Sequence, residues 1–163
     1  MGMTVQQAFT EAINAEKSAE NLYLGLEKKF SSEPEVASFW KLFATEEVNH
    51  FEWLNNLAAR LSQSDREKLV DTHTQDLFYA VRLFSWENAL ANIHDLAEAF
   101  EEVNDLENGE TNAVFRFLID NFEVDKSIRD FLLAQLATHL ARLSTNLPFA
   151  FRDILNRQAT KAD

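Results

Sequence analysis

Apolar residues recur every three or four positions along most of the chain, which is the period at which one face of an α-helix is buried. The clearest apolar stripe lies in the second predicted helix and comprises Phe39, Leu42, Phe43, Leu54, Leu57 and Leu61. We predict four main helices and a short terminal helix, over residues 4–30, 34–61, 86–108, 112–143 and 148–157. Thr4 with Gln7 forms a capping box at the start of the first helix, and Pro34 suits the first turn of the second helix.

The segment between the second and third predicted helices has a less regular apolar pattern. It is too long for a turn and suits the long crossover connection that some four-helix bundles place between helices two and three. Only three glycines and two prolines occur in the chain, too few to separate many β-strands. The pattern therefore predicts an all-α four-helix bundle, as a single domain over residues 1–163.

Composition and charge narrow the classes of function. The net charge of −12 argues against a nucleic-acid binder, which needs a basic surface. Because the chain has no cysteine, disulfides, zinc ribbons, iron–sulfur ligation and thiol catalysis are excluded. No apolar run is long enough to span a membrane, so we expect a cytoplasmic protein without membrane partners.

Glu47 and His50 interrupt the apolar stripe of the second helix, three positions apart. A buried carboxylate needs a partner, and a metal ion satisfies a carboxylate and an imidazole together. Glu-x-x-His is also the spacing used in di-iron bundles. Glu16 interrupts the stripe of the first helix in the same way, with Glu20 one turn further. A solvated position at the edge of the stripe remains the alternative for Glu16.

The chain also contains a weak internal repeat. A shift of 76 positions lays the Glu47–His50 segment on Glu123-Val124-Asp125-Lys126, and a shift of 78 lays Glu16 on His94. The repeat predicts two helical hairpins of similar plan.

Glu16, Tyr23 and the run Ala44-Thr45-Glu46-Glu47-Val48-Asn49-His50 resemble the rubrerythrin branch of the ferritin-like superfamily. The resemblance covers residues 4–143 and is most specific in the first two helices. It implies a ferritin-like bundle in which each hairpin supplies a Glu followed by Glu-x-x-His or Glu-x-x-Glu. Two iron ions would then bind inside the bundle.

The resemblance assigns metal ligands residue by residue. The expected set is Glu16, Glu47, His50, His94 and Glu123, with Glu20 and Glu98 as less certain candidates. Glu16 and His50 would be terminal ligands, and Glu47 and Glu123 would bridge the two ions. His94 would replace the carboxylate of the third helix, unless Glu98 faces the site instead.

Lys126 stands where the resemblance expects a ligating His or Glu. An ammonium group opposes the binding of a nearby metal ion, and Lys126 can pair with Glu123 across one helical turn. The sequence therefore leaves open a site with two ions, one ion or none.

The resemblance implies reduction of peroxide or oxygen, or oxidation of ferrous iron, with iron as the cofactor and manganese or zinc as alternatives. A separate electron donor is then required, because the chain lacks the cysteines of a rubredoxin-type centre, and we expect a homodimer. One alternative is a degenerate, metal-free bundle that acts as a binding or scaffold module. Another is an apolar-ligand binder, suggested only by the 14 Phe residues. His73 and His139 have no predicted partners, and Glu46 and Glu52 are assigned to the solvated face of helix two.

Overall fold

The computed structural model describes residues 2–145 together with 148, 151 and 152, leaving out the side chains of 110 and 111. Within these residues the chain forms eight α-helices and no β-strand, which confirms the all-α prediction. The helices are α1 (Val5–Lys29), α2 (Pro34–Arg60), α3 (Gln63–Glu67), α4 (Thr72–Arg82), α5 (Trp86–Asn92), α6 (Leu96–Asn108), α7 (Glu110–Phe122) and α8 (Lys126–Thr145). The terminal helix predicted over residues 148–157 lies mostly outside the described residues.

Helices α1 and α2 form an antiparallel pair that agrees with the prediction to within one residue at each end. The side chain of Thr4 accepts from the backbone N–H of Gln7, whose own side chain accepts from the backbone N–H of Thr4. This reciprocal capping box satisfies two N–H groups that have no partner inside the helix. Tyr23 of α1 packs against Trp40 of α2, with ring centroids 6.0 Å apart.

The third and fourth predicted helices are each interrupted, which corrects the predicted ranges. The third is divided at residues 93–95, where the side chain of Asp95 accepts from the N–H of Glu98 and starts α6. The fourth is divided at residues 123–125, where the side chain of Asp125 accepts from the N–H groups of Ser127 and Ile128. Both aspartates act as N-caps, and a capped N-terminus begins a new helix instead of continuing the old one.

The turn between α6 and α7 consists of Gly109 alone. A Cβ atom at this position would lie 2.7 Å from the carbonyl oxygen of Asp105, closer than real contacts allow. Gly109 therefore permits α7 to follow α6 directly. The predicted end of a helix at Gly109 is confirmed, because α6 ends at Asn108.

The segment between α2 and α5 contains the short helices α3 and α4 and lies against α1 and α7. Its chain pairs briefly with the N-terminus: the N–H of Val5 donates to Lys68 at 2.8 Å, and the N–H of Val70 donates to Met3 at 3.0 Å. None of the described helices combines the length and the apolar character that crossing a membrane requires.

Two apolar clusters fill the bundle. The Phe9 cluster includes Phe9, Ala15, Leu54, Leu57, Val114, Phe115, Leu118 and Leu136. The Trp40 cluster includes Ala19, Tyr23, Leu26, Phe39, Trp40, Phe43, Ala44, Val103, Leu143 and Phe151. Helix α1 leaves the first cluster at Ala15 and enters the second at Ala19, so Glu16 lies at the boundary. Helix α2, the pair α6–α7 and helix α8 also pass from one cluster to the other. Together with α1 they place a polar layer between the two clusters.

Candidate metal centre

The polar layer consists of five residues from four helices: Glu16 of α1, Glu47 and His50 of α2, Glu107 of α6 and His139 of α8. Each is only 2–4% exposed to solvent. Their ligand-type atoms form two groups that share Glu47, and within each group these atoms lie within 4.8 Å of one another. We call the two groups the His50 half-site and the His139 half-site.

The His50 half-site contains Glu16, Glu47 and His50. The Nδ1 atom of His50 lies 2.9 Å from Oε2 of Glu47 and 3.3 Å from Oε2 of Glu16. The imidazole ring packs against Trp53 and Phe115, with centroids 5.6 and 5.0 Å away. One imidazole nitrogen is thus directed at two buried carboxylates.

The His139 half-site contains Glu47, Glu107 and His139. The Nε2 atom of His139 lies 3.0 Å from Oε2 of Glu107 and 3.2 Å from Oε1 of Glu47. These distances are short, yet neither Nε2 of His139 nor Oε1 of Glu47 makes a hydrogen bond of acceptable geometry with a described residue. Two buried polar atoms that lie close together without an aligned hydrogen bond are arranged as a shared metal ion would require.

Residues just outside the layer hold the His139 half-site. Glu46 accepts from Nδ1 of His139 at 2.7 Å and pairs with Arg142. Tyr23 donates its hydroxyl to Oε1 of Glu107, and Asn112 donates to Oε2 of the same carboxylate at 2.9 Å. These contacts fix the orientation of both groups.

Burial and mutual attraction shift the pKa values of the layer in opposite directions. Although burial lowers the pKa of His50, the charge of Glu47 and the hydrogen bond to Glu16 outweigh it and raise this pKa to about 10. His139 also reaches a pKa of about 10, because Glu107 and Glu47 outweigh the effect of burial. Burial raises the pKa of Glu47, but His50 and His139 hold it well below its usual range. Burial and the nearby charge of Glu47 raise the pKa of Glu16.

The donor set fits a pair of divalent transition-metal ions. Three carboxylates and two imidazoles are ligands that suit iron, manganese and zinc, and Glu47 can bridge two ions because its two oxygens face different half-sites. Two divalent ions carry a charge of +4 against −3 from the carboxylates. A metal ion would also supply the partner that Nε2 of His139 and Oε1 of Glu47 lack.

The predicted ligands of the first two helices come together, and the others do not. Glu16, Glu47 and His50 share one half-site. The prediction that His94 faces the metal site is corrected, because its side chain is 74% exposed and contacts Glu98 at 3.0 Å on the surface. Glu98 is equally remote from the layer, and Glu20 is half-buried outside both half-sites.

Glu123 and Lys126 also lie away from the layer. Glu123 is buried, but it follows the last residue of α7, pairs with Arg60 and accepts from the N–H of Asp125 at 3.0 Å. Lys126 is 77% exposed and pairs with Asp130. Because the chain restarts a helix here, neither residue occupies the register of a fourth-helix ligand, and the question whether Lys126 obstructs a metal ion does not arise at this surface position.

Sequence reasoning missed Glu107 and His139, and it assigned Glu46 to the solvated face. A different repeat would have found these two residues. A shift of 89 positions lays His50 on His139, and a shift of 91 lays Glu16 on Glu107. The first of these shifts also lays Glu47 on Leu136. The carboxylate of the second Glu-x-x-His is therefore replaced by leucine, which hid the repeat.

Comparison with protein families identifies the chain. The Rubrerythrin family matches residues 8–123, well over half of the chain, and the chain therefore belongs to this family. The family and the all-helical fold confirm the resemblance to the rubrerythrin branch of the ferritin-like superfamily. No curated protein and no solved structure matches the chain. His139 lies beyond the matched residues, so its place in the site comes from the three-dimensional arrangement.

Proposed function

We propose that this protein binds two iron ions, one in each half-site, and uses them to reduce peroxide or dioxygen while oxidising ferrous iron. The observation that carries the proposal is that two buried groups of one imidazole and two carboxylates share Glu47. Membership of the Rubrerythrin family supports iron as the metal. Glu16, His50, Glu107 and His139 would hold the ends of the pair, and Glu47 would join its members.

An iron pair supplies two electrons, one from each ferrous ion, which together with two protons reduce hydrogen peroxide to two water molecules. The protein's own residues provide the surroundings for that reaction. The Phe9 and Trp40 clusters lie on either side of the polar layer and keep bulk water away from it. Tyr23 and Asn112 orient Glu107, and Glu46 orients His139.

Repeated turnover requires reduction of the oxidised pair. Because the chain has no cysteine, it carries no iron–sulfur or rubredoxin-type centre of its own. We therefore include a separate electron donor in the proposal. Assembly as a homodimer also remains part of it.

The metal-free alternative rests on charge balance within the layer. With Glu16 protonated and both imidazoles charged, two carboxylates face two cations, and the layer is neutral. Lys126 no longer supports this alternative, since it lies on the surface. Against it stands the geometry of the His139 half-site, where Nε2 of His139 and Oε1 of Glu47 lie 3.2 Å apart without an aligned hydrogen bond.

The first test is the metal content of the full-length protein after anaerobic loading with ferrous iron and desalting. We expect about two ions per chain in the wild type and in Glu52→Ala, which changes an exposed glutamate of the same helix. Glu47→Ala should lose both ions, because both half-sites use this carboxylate. Absence of iron from the wild type, with its helical circular dichroism signal intact, would refute the proposal.

Consumption of hydrogen peroxide by the loaded protein is the second test. Single-turnover oxidation should consume one peroxide for every two ferrous ions oxidised, as the electron balance requires. A different outcome is that the protein binds two ferrous ions that neither peroxide nor dioxygen oxidises. That outcome would support the metal site and refute the proposed activity.

A further inference from the structure

We infer that the two half-sites bind their ions with unequal affinity, so that the His139 half-site retains its ion while the His50 half-site exchanges its ion with the solution. The inference rests on the proposed function, which places a metal ion in each half-site. It adds a division of roles, one resident ion and one exchangeable ion, that the ligand sets alone do not contain.

The ligand sets themselves are balanced. Each half-site offers one imidazole nitrogen, one carboxylate of its own and one oxygen of the shared Glu47. All of these side chains are almost fully buried. Neither the number of donors, their chemical type nor their burial therefore distinguishes the two positions.

Glu107 is held from outside the metal centre at both of its oxygens. The hydroxyl of Tyr23, itself fully buried, donates to Oε1. The side-chain amide of Asn112 donates both to Oε2, at 2.9 Å, and to the backbone carbonyl of Glu107. Since the carboxylate is already oriented, little side-chain freedom is lost when a metal ion binds to it.

His139 is held in the same manner. Its Nδ1 atom donates to Glu46 at 2.7 Å, and Glu46 is paired in turn with Arg142. A carboxylate on one ring nitrogen fixes the orientation of the ring and makes the other nitrogen a better metal ligand. That other nitrogen, Nε2, faces Glu47 and Glu107.

The His50 half-site lacks such support among the residues that the structure describes. The hydrogen bonds of His50 there run to Glu16 and Glu47, which are metal ligands themselves. Its ring is otherwise surrounded by Trp53, Phe115 and the ring of His139. The contacts of Glu16 likewise stay within the half-site, with His50 and Glu47. Binding a metal ion here breaks the contacts that position these ligands.

The size of the difference follows from the effect of such supporting residues in metal proteins. Loss of one hydrogen-bonding partner behind a ligand lowers metal affinity by about 10–100-fold. The His139 half-site has support behind both of its own ligands, and the His50 half-site has it behind neither. We therefore expect dissociation constants that differ by at least about 10-fold.

Calorimetric titration of the metal-free, full-length protein with cobalt(II) tests the inference without any measurement of activity. The wild type should show two separate binding steps. Glu46→Gln and Tyr23→Phe, which weaken support for His139 and Glu107, should each raise the dissociation constant of the tighter step by about 10-fold. Both variants should leave the weaker step unchanged, and Glu52→Gln, on the exposed face of α2, should alter neither.

Two further variants assign the steps. His50→Ala should remove the weaker step, and His139→Ala should remove the tighter one. If His139→Ala fails to fold, the conservative Glu46→Gln and Tyr23→Phe variants still decide the question.

Two equal sites in the wild type, or a weaker step that responds to Glu46→Gln, would overturn the inference and leave the two-metal proposal standing. A wild type that binds no cobalt and no iron would overturn both.

Discussion

The two half-sites of the candidate metal centre share one carboxylate and offer the same kinds of donor, but they differ in what surrounds them. The His50 half-site lies on α1 and α2, whose ligands contact mainly one another and apolar rings. The His139 half-site is framed by Tyr23, Glu46, Asn112 and Arg142. The half-site that carries a recognisable sequence motif is thus the one with less structural support. A ligand motif reports which atoms meet, and it does not report how firmly they are held.

The largest expected effect comes from removing one terminal carboxylate from each half-site in turn. Glu16→Gln should leave about one tightly bound ion per chain, and Glu107→Gln should leave about one weakly bound ion, because each change removes a ligand of only one half-site. Equilibrium dialysis against cobalt(II) measures both stoichiometry and affinity. Equal affinities in the two variants would remove the distinction between the half-sites.

Introducing a second shared carboxylate would sharpen the comparison. Leu136 lies three residues before His139 and is fully buried, at the position that corresponds to Glu47 of α2. Leu136→Glu should lower the unfolding free energy of the metal-free protein by about 2–5 kcal/mol, because it buries a carboxyl group without a partner. Metal binding should restore much of this loss. Urea unfolding with and without cobalt(II) measures both quantities.

The matched control is Leu136→Met, which conserves volume and should cost less than about 1.5 kcal/mol with or without metal. Cobalt(II) should raise the unfolding free energy of Leu136→Glu by more than it raises that of the wild type. If the two increases are equal, the new carboxylate does not reach the ions.

The pH provides a third comparison. In the metal-free protein, His50 and His139 have pKa values of about 10, raised from an unfolded value near 6.5. Their contribution to stability is therefore fully present below about pH 6.5 and is lost as the pH rises towards 10. Thermal melting temperatures of the metal-free protein should fall over this interval. The metal-bound protein should not show this fall, because its imidazoles are bound as neutral ligands.

Metal affinity should rise as the pH rises, since metal ions displace protons from the ligands. The His50 half-site loses protons from both His50 and Glu16, whose pKa is also raised, while the His139 half-site loses one from His139. The weaker binding step should therefore strengthen more steeply with pH than the tighter one. Parallel slopes in titrations at several pH values would contradict this.

The smallest effect is expected at Lys126. This residue aligns with His50 in the sequence repeat, but the fold places it away from the polar layer. Lys126→His should leave metal stoichiometry and affinity unchanged, because the side chain is 77% exposed and pairs with Asp130. His94→Ala should be equally silent, since His94 contacts Glu98 on the surface. Elemental analysis of both variants, beside the wild type, measures this. A gain of metal in Lys126→His would place α8 in a different register from the one described.

Local sequence signals were sufficient for the first half of the chain. The capping box at Thr4, the proline at residue 34 and the helical period of the apolar residues predicted α1 and α2 almost to the residue. Because both helices are long and connected by a tight turn, Glu16, Glu47 and His50 were also brought together correctly. Helical periodicity is a property of neighbouring residues, and it can be read without knowledge of the rest of the fold.

The second half depended on tertiary structure. Asp95 and Asp125 cap new helices in the middle of two apolar stripes, and this shifts the register of every later residue. Glu107 and His139, 32 positions apart in the sequence, meet only because α6 packs against α8, and side-chain contacts then link both residues to α1 and α2. Because Leu136 stands where a second Glu-x-x-His motif would have its glutamate, no local pattern marks His139.

The sequence by itself thus determined the helical class, the first hairpin and the residues of one candidate half-site, because these depend on short-range periodicity and capping. Only the tertiary structure decided the other candidate half-site and the hydrogen bonds that hold its residues. Those hydrogen bonds join residues from different helices, such as Tyr23 with Glu107 and Glu46 with His139. Contacts of this kind form when separate apolar faces are buried together, and the spacing of residues along one helix does not encode them.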